Sequence, residues 1–289
     1  MEKLSAVLIV KNEEVMLEKC LQSIEWVDEI IICDTGSKDK TIEIAGKYTD
    51  KIFFFDWCDD FSKARNYAKS FAIWEYILSI DADEELQPWW IEKIRKSIES
   101  WADWIYMNLF DWFSNRFSNI RCFKREKDWV WAIHESVLGI TSKTYCEAEI
   151  LYKHSPAHEL DEDLDFRILK NEYEKNPKNT RTIFYLAREY YYKKEYDTAI
   201  RLYNEYLSLK STHYSEVTDA YYRLALCYWY DWEWHWELSR ECLMKAIVRN
   251  VNFKAAHKLM AEQMIDEKKK ATWLKFAEIA DNSNLLFTH

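Results

Sequence analysis

Glycine is nearly missing from this chain, with three residues in 289 where ordinary usage would supply about twenty. No glycine-rich turn follows the first apolar run, which excludes the phosphate-cradling loops of Rossmann dehydrogenases and P-loop enzymes. Positive charge is also short. Forty Lys and Arg against fifty Asp and Glu leave a net charge of −10, which argues against a nucleic-acid partner held through its phosphates. An anionic nucleotide substrate would then need a cation, or basic side chains close by. The seven cysteines are odd in number and scattered, without a C-x-x-C pair, so neither a zinc site nor a disulfide framework is expected and a reducing cytoplasm is. No apolar run reaches the length of a membrane span, and the first residues lack a signal-peptide pattern. The expected location is the cytoplasm, free or peripheral at the inner face of the membrane.

Tryptophan is what the chain has in excess, with fifteen residues. Several stand where a turn asks for glycine. Trp26 lies between two predicted elements, Trp74 precedes the strand that leads to Asp81, and Trp131 adjoins Ile133-His134-Glu135. Trp232, Trp234 and Trp236 alternate between two helical patterns. Indole in a backbone position needing positive φ costs about 1–2 kcal/mol. One reading is that some of these are UGA codons meant as glycine and written as tryptophan; the other is a genuinely tryptophan-rich protein.

The segment Ile77-Leu78-Ser79-Ile80-Asp81-Ala82-Asp83-Glu84-Glu85 carries the most chemistry. An apolar, β-leaning run delivers two carboxylates to its carboxyl end. In extended backbone, positions i and i+2 point the same way, so Asp81 and Asp83 can meet one hard cation such as Mg²⁺ or Mn²⁺, shared with substrate phosphates. The bland alternative is an acidic turn capping the next helix.

The continuous apolar runs Leu4–Val10, Glu29–Cys33, Lys51–Phe55 and Tyr76–Ile80 predict buried strands, alternating with helical patterns that include Phe61–Ile73. Such alternation implies a parallel sheet with right-handed crossovers. A helix over Pro88–Ser100 and strands near Trp104–Leu109, Ile120–Lys124 and Cys146–Tyr152 follow. From about Leu160 the pattern is helical only. Leu186, Leu224 and Leu259 are separated by 38 and 35 residues, close to the ~34-residue tetratricopeptide (TPR) period. Small residues follow each, and tyrosines follow the first two; the third copy is weaker.

Val10-Lys11-Asn12-Glu13-Glu14, Asp34-Thr35-Gly36-Ser37-Lys38-Asp39, Asp60-Phe61-Ser62-Lys63-Ala64-Arg65-Asn66 and Asp81-Ala82-Asp83-Glu84 occur in that order, followed by Ile133-His134-Glu135 and His154. Together these motifs resemble family 2 glycosyltransferases of the GT-A fold, in the branch with C-terminal TPRs. The resemblance implies an α/β GT-A domain over residues 1–157 and an all-α TPR-like domain over 158–289. It also has glycine at the position of Trp74 and near Trp131, whereas Trp57 fits it as tryptophan.

The resemblance further implies an inverting transfer of sugar from a nucleotide-diphosphate sugar, with a UDP-sugar as the expected donor and Mn²⁺ or Mg²⁺ as cofactor. Val10, Lys11, Asn12 and Glu13 would contact the nucleotide, Asp34 its base or ribose, and Arg65 its diphosphate. Asp83 would bind the metal, Asp81 the ribose or a metal-bound water, and His154 would complete the shell. Asn66 would tie down backbone beside the site. Glu135 would be the general base, with His134 as fallback; Glu84 and Glu85 lie nearer the metal and suit a capping role better. The acceptor would be a peptide, a protein or a cell-envelope glycan, and the repeats could present it or hold a homodimer. The competing reading is a TPR scaffold with a vestigial, inactive transferase domain.

Overall fold

A computed structural model describes residues 3–111, 116–139, 141–211, 213–230 and 235–280. The chain parts into two compact units, Met1–Leu164 and Asp165–His289, a few residues beyond the expected boundary. The first is α/β and the second helical, the order that the motifs imply.

In the first unit eight strands form one sheet in the order β3-β2-β1-β4-β7-β6-β10-β5. Strands β1 (Leu4–Val10), β2 (Glu29–Asp34), β3 (Ile52–Phe54) and β4 (Tyr76–Ser79) are mutually parallel. They match the four predicted runs closely, because strands buried on both faces read as unbroken apolar sequence. Alternation within them sorts side chains into two layers. Leu4, Ala6, Leu8, Ile30, Ile32 and Leu78 pack with helices α1 (Leu17–Ser23) and α4 (Ile91–Ile98) on one face, while Val7, Ile31, Cys33 and Ile77 pack with α3 (Phe61–Ser70) on the other. Helix α2 (Thr41–Ala45) is a short one of five residues.

Beyond β4 the sheet is mixed rather than parallel. Strand β7 (Arg116–Lys124) runs antiparallel to both β4 and β6 (Trp104–Phe110), and β10 (Lys143–Tyr152) runs parallel to β6. Two features have no counterpart among the predicted elements: β5 (Glu84–Leu86), antiparallel to β10, and a small hairpin of β8 (Trp129–Val130) with β9 (Ser136–Val137).

The second unit holds α5 (Leu164–Lys175), which begins at the boundary, and three hairpins. These are α6–α7 (Thr180–Tyr192, Tyr196–Ser208), α8–α9 (Tyr214–Tyr230, Trp236–Arg249) and α10–α11 (Lys254–Glu262, Glu267–Ile279). Leu186, Leu224 and Leu259 each sit on the first helix of a hairpin, buried. Small residues bring paired helices close: Ser239 Oγ donates to the Ala225 carbonyl across α8–α9 at 2.7 Å. Among the described residues no helix is long and apolar enough to cross a membrane.

The tryptophans divide. Trp131 has φ 71° and Trp101, just past the end of α4, has φ 57°, both left-handed positions that favour glycine. Trp26 and Trp74 are not among the positive-φ residues. Trp74 Nε1 is nonetheless buried with no hydrogen-bond partner among the described residues. Trp236 opens α9, and Trp232 and Trp234 lie outside the described residues.

Candidate active site

Strands β1 and β4 are adjacent and parallel, while the chain passes from β1 to β2 on the opposite side. Their carboxyl ends therefore border the crevice where ligands bind in open α/β sheets. Val10–Glu13 leaves β1 there, and Asp81–Glu84 leaves β4.

The β1 loop is stitched to the loop after β2. Thr35 N donates to the Val10 carbonyl at 3.0 Å, Asn12 N to Ser37 Oγ at 2.9 Å, Lys38 N to Asn12 Oδ1 at 2.8 Å and Glu13 N to Thr41 Oγ1 at 2.7 Å. Asn12 takes a left-handed φ of 56°, which Asn tolerates better than most residues. Lys11 is exposed. Asp34 is buried, and its carboxylate accepts from Gly36 N at 3.0 Å and from Ser37 N at 3.1 Å, so it shapes the turn in which Gly36 has φ 107°. Glu13 is buried and accepts from Ser155 Oγ at 2.6 Å. Burial, with Asp81 and Asp39 adding to it, raises the Glu13 carboxyl against the effect of Ser155.

The Asp-x-Asp segment forms a tight turn. Glu84 N donates to the Asp81 carbonyl at 3.0 Å, and Asp81 N donates to Glu84 Oε2 at 3.0 Å. Asp83 and Glu84 are both buried. Burial first, then the charges of Asp81, Glu84 and Glu13, push the Asp83 carboxyl up to about 8. Burial likewise raises Glu84, against the pull of Arg121. This oxygen-only, mutually repelling set suits a hard divalent cation, of the kind bound by one or two carboxylates plus substrate phosphates. Among the described residues no three His, Cys, Asp or Glu converge as a cation cage. The structure does not assemble Asp81, Asp83 and His154 as one ligand set; His154 is exposed past the end of β10.

Arg65 lies at the junction of the site. Its Nη2 meets Asp81 Oδ1 at 2.9 Å, its Nε meets Glu135 Oε1 at 2.5 Å, and its guanidinium lies over the Trp129 ring at 5.2 Å. Burial opposes its charge, but Asp81 and Glu135 more than offset that and hold it protonated. The expected diphosphate ligand is thus engaged by two carboxylates. Asp60 caps α3, accepting from Lys63 N at 3.0 Å.

Helix α3 also holds the segment that carries Glu135. Asn66 pairs with both the carbonyl and the N–H of Trp129, at 2.8 and 2.9 Å, as expected of a residue that ties down backbone. Phe61 N donates to the Ala132 carbonyl at 2.8 Å, and the buried Lys69 ammonium meets Asp128 at 2.6 Å. Between β8 and β9 both Trp131 and His134 (φ 50°) are left-handed. Strained non-glycine backbone gathers at functional loops.

Two residues absent from the sequence-based set belong here. Ser155 ties the end of β10 to Glu13. Arg121, buried on β7, pairs with Glu84 and reaches Asp81 Oδ2 at 3.5 Å. The signal that could have found it is a lone arginine inside the apolar run Ile120–Phe123.

Comparison with known proteins bears on what this arrangement is. The model of the family "Glycosyl transferase family 2" matches residues 5–161, more than half of the chain. A TPR repeat-containing protein of Synechococcus elongatus is 47% identical over 87 residues, 30% of this chain and 22% of that protein. The lipopolysaccharide core biosynthesis glycosyltransferase LpsC of Rhizobium meliloti is 37% identical over 94 residues, 29% of this chain and 32% of that protein. In each case the match spans less than a third of the relative. The crystal structure of S. aureus TarS 1-349 aligns with a TM-score of 0.47 at 13% identity, over 96% of this chain and 90% of that one. The match over residues 5–161, on the unit that carries the acidic turn, shows that this chain belongs to glycosyl transferase family 2.

Proposed function

We propose that the chain is an inverting glycosyltransferase that takes a sugar from a nucleotide-diphosphate sugar, UDP-sugars first, with a divalent cation at Asp83 and Asp81. One observation carries the reading: a buried, self-repelling acidic turn at the carboxyl end of β4 is joined through one guanidinium to Glu135 on a separate loop. A cation bound there would offset the charge that develops on the departing diphosphate.

The chain's own residues do the rest. The cross-stitched β1 and β2 loops present a rigid edge for the nucleoside, with Asn12 and Asp34 fixing their shape. Asp83 is the principal cation ligand, because guanidinium groups face both oxygens of Asp81: Arg65 on Oδ1 and Arg121 on Oδ2. Arg65 holds Glu135 at the donor site by its Oε1, and Oε2 is the oxygen that takes the acceptor's proton. His134 is the fallback base on the same loop. The acceptor is a peptide, a protein or an envelope glycan, and the name of the LpsC relative favours the last. The helical hairpins form the kind of surface that binds extended partners, or a second copy of the chain.

A panel of UDP-, GDP- and dTDP-sugars incubated with Mn²⁺ tests this. Release of nucleotide from one member, lost on Asp83→Asn, is the expected result. A folded protein inert toward the whole panel would favour the scaffold reading instead.

A further inference from the structure

Strand β7 carries an irregularity where it passes β4 and β6. Ile105 faces Cys122, yet Tyr106 faces Ile120, so Arg121 is the extra residue of a β-bulge. Bulges re-aim side chains and are common beside active sites. Leu78 pairs with Cys122, which places Arg121 alongside the carboxyl end of β4. Its guanidinium is aimed at the acidic turn and pairs with Glu84, whose side chain is 1% exposed, and with Asp81 Oδ2 at 3.5 Å.

Glu84 has a second task. Its Oε2 accepts the Asp81 N–H while its own N–H donates to the Asp81 carbonyl. The carboxylate that closes the turn is therefore the one Arg121 grips, and Asp83 lies inside that turn. Arg65 and Arg121 approach the two oxygens of Asp81 from different elements, α3 and β7, which fixes the plane of that carboxylate.

We propose that Arg121 is a positioning residue of the donor site: through Glu84 and Asp81 it sets the turn that presents Asp83 to the cation–diphosphate. The inference rests on the function proposed above. It assigns to β7 a role outside the motif set, and it explains why a β-bulge carries an arginine into an otherwise apolar layer. Residues that orient metal ligands from behind are worth roughly 10–100-fold in metal affinity.

The test is Mn²⁺ binding in the presence of UDP, followed by the loss of the free-Mn²⁺ electron paramagnetic resonance signal well below the melting temperature. Arg121→Met should weaken Mn²⁺ binding by about 10–100-fold while circular dichroism shows the fold intact. Arg121→Lys should recover part of the loss, since an ammonium can reach Glu84 but not span to Asp81. Glu84→Gln keeps an acceptor for the Asp81 N–H and loses the charge that Arg121 grips. It should weaken binding by about 10-fold, and it serves as the test should Arg121→Met not fold. A parent that binds Mn²⁺–UDP while these variants bind within twofold of it would overturn the role of Arg121 alone. A parent that does not bind Mn²⁺–UDP would overturn the proposed function and this inference with it.

Discussion

Buried charge is handled differently in the two units. In the helical unit it is paired one to one: Arg223 meets Asp219 one turn earlier at 2.6 Å, and Arg181 on α6 meets Glu216 on α8 at 3.0 Å. In the α/β unit, Glu13, Asp81, Asp83, Glu84 and Glu135 gather from three separate segments around the guanidinium groups of Arg65 and Arg121. Carboxylates outnumber the cations there. A one-to-one pair explains itself as structure; an acidic set that outnumbers its cations raises the energy of the folded state and calls for a ligand. That asymmetry, more than any single motif, separates the site from the scaffold.

Substitutions can break the comparison or sharpen it. The largest effect is expected for Asp83→Asn, which should lower sugar transfer by about 10³-fold while leaving the melting temperature equal or higher, because it relieves repulsion. A marked loss of stability without loss of turnover would make Asp83 structural. Glu135→Gln should reduce kcat by roughly 10²-fold or more with the donor KM little changed; parallel loss of donor binding would remove it from the base role. In the helical unit the expectation reverses. Asp219→Asn strands Arg223 and should cost about 3–5 kcal/mol in urea unfolding, with donor hydrolysis by the folded protein unaltered. Smallest are Trp131→Gly and Trp101→Gly, each expected to gain about 1 kcal/mol in thermal unfolding. UGG codons at both positions would refute the recoding of glycine.

Much of the first unit was readable because β1 to β4 are covered on both faces and so appear as apolar runs. The acidic turn and the α3 motif were readable for a similar reason, since each sits on one short element. The repeats showed through the spacing of Leu186, Leu224 and Leu259. What stayed hidden depends on contacts between distant segments. Glu84–Leu86 reads as a charged continuation of the metal motif, yet it is a strand whose first carboxylate is buried against Arg121. Arg65 reads as a phosphate hand, but its two partners lie 16 and 70 residues away in sequence. The Asp34 motif, expected to contact the nucleotide, also makes a turn through the N–H groups of Gly36 and Ser37. The left-handed backbone of Trp101 could not be inferred, since an exposed residue after a helix carries no periodic signal.

The most direct measurement is calorimetric titration of UDP into the protein with Mn²⁺ present, for the parent and for Asp83→Asn. The account predicts heat of binding in the parent that needs Mn²⁺, and affinity reduced by at least about 100-fold in the variant. Equal affinity in both proteins, or binding indifferent to Mn²⁺, would contradict it.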